Sequence, residues 1–300
     1  MHLEELGRID LPHGGAGDYD HADVHRSTGR VFLANTELGQ VEVLDGLGGR
    51  HLASIFGCPG ASGVALAGER VVAAARESGE VLVIDPGTAE VVSRFAVGPA
   101  PNGLAWDHSR GQLLVADTSD FTAGVFDLDH GRKIAERRLP GRPRWAAYDA
   151  ARDAFYVNVL HPAVVAVLSG RDLDLTATVE IGAAGPHGLG IDAAAETMLV
   201  ACDDNTLVWV GLDDWRPRRC SVLGGSPDVV WVDSTRRVAY IAVGDPGMLH
   251  FYDLDSGDEL VRIPTGRGAK TVALDEERNR LYVFLPQTGH AAVYSLVGPP

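Results

Sequence analysis

This chain lacks the marks of a disulfide scaffold, a membrane protein or a helical bundle. Its three cysteines, Cys58, Cys202 and Cys220, are odd in number and have no metal-type spacing, which points to reduced thiols. No apolar run reaches the ~18 residues a membrane helix needs. The first residues show no basic–apolar–small pattern, so a soluble, cytoplasmic protein with no membrane partner is expected. No stretch sustains a helical period. Positive charge is also scarce: 26 Lys and Arg stand against 41 Asp and Glu, a net charge of −15. Such a surface repels phosphate backbones, so no nucleic-acid partner is expected. The basic cluster Arg216-Pro217-Arg218-Arg219 reads as a solvated outer loop.

A repeat is present. Asp20-His21-Ala22, Ser62-Gly63-Val64, Asn102-Gly103-Leu104, Arg144-Trp145-Ala146, His187-Gly188-Leu189, Asp228-Val229-Val230 and Lys270-Thr271-Val272 follow one another at steps of 42, 40, 42, 43, 41 and 42 residues. A period near 42 marks a repeat architecture. Each unit holds four short runs rich in Val, Leu, Phe and Tyr, separated by turn chemistry such as Asp85-Pro86-Gly87 and Asp255-Ser256-Gly257. Seven units of four strands predict an all-β, seven-bladed β-propeller with antiparallel blades. It forms one domain, with blades at about 18–58, 59–98, 99–141, 142–183, 184–225, 226–267 and 268–300 plus 1–12. The seventh unit ends after its third strand, and Glu5-Leu6-Gly7-Arg8-Ile9 echoes Glu259-Leu260-Val261-Arg262-Ile263, the fourth strand of the sixth unit. The N-terminal strand is therefore expected to close the last blade, leaving no open ring interface.

The stretch Val97-Gly98-Pro99-Ala100-Pro101-Asn102-Gly103-Leu104-Ala105-Trp106-Asp107, followed by Leu113-Leu114-Val115-Ala116-Asp117, resembles the YVTN-type seven-bladed propellers, and more loosely the NHL-type and lactonase-like ones. Similar pieces recur at Ile181-Gly182, at Pro186-His187-Gly188-Leu189 and at Pro227-Asp228-Val229-Val230. The resemblance implies a fold; propellers serve as enzymes, binders and scaffolds alike.

In a propeller the entries into the innermost strands gather at one mouth of the central channel. Here they form a ring of Asp20, Ser62, Asn102, Arg144, His187, Asp228 and Lys270, with His21 beside Asp20. An outer ring on the same face includes Asn35, Glu37, Arg76, Glu77, Asp117, Asp120, Asn158, His161, Asp203, Asp204, Asp245, Gln287 and His290. One reading of the inner ring is mutual salt bridging around water. A second is a divalent metal held by His187, Asp228 and Asp20; gluconolactonase-like propellers hold a cation with an acid, Asn and Asp, and Asn102 and Asp228 match two of those positions. Arg144 and Lys270 oppose it by charge. The third is metal-free and needs no cofactor: His187 as base, Asp228 as its orienter, Lys270 as oxyanion stabiliser and Arg144 as anion clamp. Asn102, Asp20, His21, Ser62 and Trp145 complete that pocket. Streptogramin-lyase propellers similarly use His and charged residues at the mouth. The expected function is thus a small-molecule enzyme or binder, a lyase, isomerase or hydrolase acting on a carboxylated or polyoxygenated ligand. A non-catalytic scaffold for a protein partner and a metal-dependent lactonase-like hydrolase are the alternatives. His25 stands where other units carry Asp and is expected to cap a turn; Trp106 and Trp231 are expected to be equivalent, packing between blades; His13, His51, His108 and His130 are expected in exposed turns.

Overall fold

Each apolar run bounded by Gly, Asp or Ser becomes a strand because its alternate side chains can be buried on both faces between neighbouring blades. The computed structural model describes residues 2–12 and 17–297. His13 lies outside them, as do residues 298–300 of the expected last blade. Among the described residues there is no helix, and so none long and apolar enough to cross a membrane.

Seven four-stranded antiparallel sheets follow one another around a ring, the expected seven-bladed propeller. Their innermost strands are Tyr19–His25, Ala61–Ala67, Pro101–Asp107, Pro143–Asp149, Pro186–Asp192, Ser226–Asp233 and Val272–Asp275. The outermost strands are the exposed ones, as in Glu90–Ala96 and Arg132–Arg138. There is no single central core. Apolar layers lie between successive blades instead, such as Ala34, Val41, Val64 and Leu82 between the first two.

The last blade is closed as expected. Its outermost strand is His2–Asp10, antiparallel to His290–Val297, with Glu5 opposite Tyr294 and Ile9 opposite Ala291. Ile9 is fully buried and shares one layer with Tyr282 and Phe284 of the last blade and Tyr19, Leu33 and Leu44 of the first. The N-terminal strand therefore carries both a sheet edge and part of the seam between first and last blades.

His25 caps its turn through Thr28 Oγ1, 2.9 Å from Nδ1, where Asp107 accepts from the Ser109 amide at 2.9 Å. The expected equivalence of Trp106 and Trp231 fails. Trp106 is one residue before its strand-ending Asp107 and packs against the layer between blades two and three. Trp231 is two residues before Asp233, because it stands three residues after Asp228 where Trp106 stands four after Asn102, and so takes the place of Ala105 in its strand. It lines the central channel, its indole N–H donating to Val272 O at 2.9 Å. His51 is also not a turn residue: it lies on the outer strand Arg50–Phe56, with Nε2 3.0 Å from the fully buried Glu42.

Candidate functional site

Each inner strand begins at the same mouth, so residues about 42 apart in sequence become neighbours around one circle. His187 is the hub. Its Nδ1 lies 2.8 Å from Asp203 Oδ1, and its Nε2 lies 3.2 Å from Asp228 Oδ1 and 3.3 Å from a guanidinium nitrogen of Arg144. Nε2 can accept from Arg144 as a neutral ring or donate to Asp228 as an imidazolium. Burial alone would favour the neutral ring, but Asp228 and the hydrogen bond with Asp203 outweigh burial and the Arg144 charge, raising the His187 pKa to about 9. His187 is accordingly an imidazolium at neutral pH.

Asp228 is buried. Burial pushes its pKa up, yet His187 more than compensates and holds it below the ordinary carboxylate value. Lys270 Nζ sits 3.9 Å from the other oxygen of Asp228 and 2.9 Å from Asp18 Oδ1. Burial opposes the Lys270 charge, but the two carboxylates raise its pKa overall. Across the circle, Asp20 accepts from Arg76 at 2.8 Å and lies 2.9 Å from His21 Nδ1. His21, Arg76 and Lys270 overcome its desolvation and keep it well below the usual carboxylate range. Arg76 also donates to Asn102 Oδ1. Arg142, exposed at the entry to the fourth blade, has its pKa lowered by partial desolvation and by the nearby guanidiniums of Arg144 and Arg76. Arg144 Nε and Arg76 Nε are buried without hydrogen-bond partners.

The mouth is therefore a layer of interleaved acids and bases beneath an open depression of about 470 Å³, onto which His187, Asp228, Lys270 and Asp18 face. The structure brings together Asp20, His21, Asn102, Arg144, His187, Asp228 and Lys270. Two expected members fall elsewhere. Ser62 is fully buried and its hydroxyl faces the backbone carbonyls of Pro101 and Ala74, at 3.1 and 3.4 Å, so it is a tie between blades that no ligand reaches. Trp145 stacks edge-on against His21, with centroids 3.8 Å apart, and lines the channel below the layer.

Asp203 and Arg76 belong to the outer ring by position, and nothing in the spacing says that their side chains reach inward. Asp18 and Arg142 belonged to neither ring. Other outer-ring residues serve the frame: Asn158 donates to the carbonyls of His187 and Gly188, holding the hub strand, and Asp117 accepts the amides of Ala100, Ser119 and Asp120.

Among the described residues, the donor set nearest to a metal site is Asp20, His21 and Asp228, whose ligand atoms lie within 4.8 Å of one another. It shares two residues with the expected set and takes His21 in place of His187. It fits a cation poorly: Arg76 occupies one oxygen of Asp20, and His187 and Lys270 flank Asp228, so three positive groups already surround these acids. No family model matches the chain, and neither does any curated protein.

Proposed function

We propose that the protein binds a small carboxylated, polyoxygenated molecule at the mouth and acts on it by metal-free acid catalysis. The observation that carries this reading is the placement of His187 between the carboxylates of Asp203 and Asp228, at 2.8 and 3.2 Å, which raises its pKa. A fixed imidazolium beside Arg144, with Lys270 on the other side of Asp228, recognises an anion and can deliver a proton. The role first expected for His187, that of a base, gives way to that of an acid, because a group with a pKa near 9 is protonated at neutral pH. Arg144, whose partly exposed guanidinium lies beside His187 and Asp203, clamps the carboxylate, and Lys270 stabilises negative charge developing on oxygen. Such a set suits a lyase, an isomerase or a hydrolase. Kinship with YVTN-type propellers is part of the proposal and rests on the Pro-Asn-Gly-Leu-Ala segment at 101–105. A cytoplasmic location is supported by three free cysteines, two of them buried.

The test is a thermal-shift panel of small mono- and dicarboxylates and sugar acids. At least one should raise the melting temperature by several degrees, and the pair His187→Gln with Lys270→Met should abolish the shift while leaving the fold intact. Equal shifts in wild type and double variant would remove the mouth from the account. A protein partner retained by the double variant would favour the scaffold reading, and a stoichiometric metal lost in Asp228→Ala would favour the metal-dependent one.

A further inference from the structure

The seventh blade enters the ring differently from the other six. In those six the inner strand starts before its ring residue, as at Pro186 before His187, but in the seventh it starts at Val272, two residues after Lys270. The connection that leads to it also lacks the usual anchor. Just after the outer strand of every other blade comes a buried apolar residue, such as Leu139, Ile181 or Leu223; here it is Thr265, half-buried, with its hydroxyl unpartnered. The chain then passes through Gly266 and Gly268 at φ of 102° and 85°, outside any sheet, with Arg267 between them. Proteins break their own local pattern mainly at functional or strained sites.

This irregular entry brings a cation to the mouth. Arg267 lines the same depression as His187, Asp228 and Lys270. Its side chain is 69% exposed, and among the described residues its one ion pair is with Asp245, itself 63% exposed, at 3.3 Å. A pair between two such exposed groups adds little stability, and a guanidinium engaged through one nitrogen keeps its other donors free. The remaining acids on the depression are held elsewhere: Asp18 lies 2.9 Å from Lys270, and Asp228 lies 3.2 Å from His187. Asp245 ends the strand Val238–Asp245 and has a short side chain, whereas Arg267 stands between two glycines on a connection held in no sheet. Of that pair, Arg267 is the member that can reach over the depression. Arg144 and His187 stand on the fourth and fifth blades and Arg267 on the entry to the seventh, with the buried Asp228 of the sixth between them. Two anionic groups of one molecule can therefore straddle Asp228.

We propose that Arg267 sets the specificity of the mouth by pairing with a second carboxylate, at the far end of a ligand whose first carboxylate lies against Arg144 and His187. The mouth then selects short hydroxylated dicarboxylates over monocarboxylates. This rests on the mouth being an anion site and adds the ligand's second charge.

The experiment is calorimetry at neutral pH on wild type and Arg267→Met with three probes. They are tartrate; threonate, in which one carboxylate of tartrate is replaced by a hydroxymethyl group; and 4-amino-3-hydroxybutanoate, whose far end is an ammonium. Wild type should bind tartrate at least about fivefold more tightly than threonate. Arg267→Met should bring the two affinities together by weakening tartrate alone, with the melting temperature unchanged because the side chain is exposed. Arg267→Lys, which keeps the charge but loses the planar fork, should restore part of the preference. A preference that survives in Arg267→Met, or an equal loss of tartrate and threonate, would overturn the proposal while leaving the mouth an anion site. Tighter binding of the aminobutanoate than of either acid would overturn it too, with Asp245 then the residue that reads the far end. Binding of none of the three would overturn this proposal and the anion site together.

Discussion

His187 owes its charge to its two neighbours rather than to its exposure. Its folded pKa is raised from 6.5 to about 9, so its stabilising contribution is complete below pH 6.5 and is lost as pH rises through about 9. Linkage makes that contribution about 3 kcal/mol at most. Chemical denaturation between pH 6 and 10 should show stability declining in that window, and His187→Gln should flatten the decline. The residue types at the mouth could be read from the repeat, because equivalence in a 42-residue period places them on one circle. Their pairing could not. Whether Arg76 turns toward Asp20 and Asp203 toward His187 depends on side-chain direction at loop ends, which spacing does not encode. Ser62 illustrates the converse: its position is equivalent to the others, but a short side chain there reaches only backbone carbonyls, of its own blade and of the next.

At the scale of elements, the turn between the first and second strands of each blade needs one residue in the left-handed region. Gly29, Gly68 and Gly111 fill it in the first three blades, but Asp153, Glu196, Arg237 and Asn279 fill it in the rest. Side chains there are strained, and three of them carry ion pairs to the adjacent blade. Arg110 pairs with Asp153, Arg152 with Glu196, and Arg237 with Asp192 through two bonds of 2.8 and 2.7 Å. The ion pairs stitch the blades at the face opposite the mouth. Because Asp192 is almost fully buried, Arg237→Met should cost about 2–4 kcal/mol, measurable by urea titration. Asp192→Asn in the same background should recover part of the loss, since the stranded charge is then gone. Strands and turns were legible in the sequence because apolar runs and Gly, Asp and Pro punctuation recur with the blade. The offset of Trp231 lies in the spacing too: it stands three residues after Asp228 against four from Asn102 to Trp106, and a one-residue offset in a strand puts the two indoles on opposite faces.

On the scale of the whole molecule, closure by the N-terminal strand makes the ring one cooperative object. Removing residues 1–12 strips the last blade of its outer strand and opens the seam at Ile9, which is fully buried. The melting temperature should fall by ten degrees or more, or the chain should fail to fold. Replacing Ile9 alone by Ala should cost about 2–4 kcal/mol through the cavity it leaves. Closure also matters for function, because the mouth is assembled from both ends of the chain: Lys270 meets Asp18, and the Thr271 hydroxyl donates to Tyr19 O at 2.9 Å. The fold and the location of the mouth followed from periodicity alone, whereas the division of the channel into a charged upper layer and an aromatic lower cavity emerges only once all seven inner strands are in register.

The central claim is that a protonated His187 makes the mouth an anion site. Its most direct test is the affinity of tartrate, a polyoxygenated dicarboxylate, measured calorimetrically from pH 6 to 10 in wild type and His187→Gln. The account predicts saturable binding that holds to about pH 8 and weakens steeply once the pH passes about 9, with the variant weaker and without that step. Absence of binding at every pH, or an affinity that crosses pH 9 unchanged in the wild type, would contradict it.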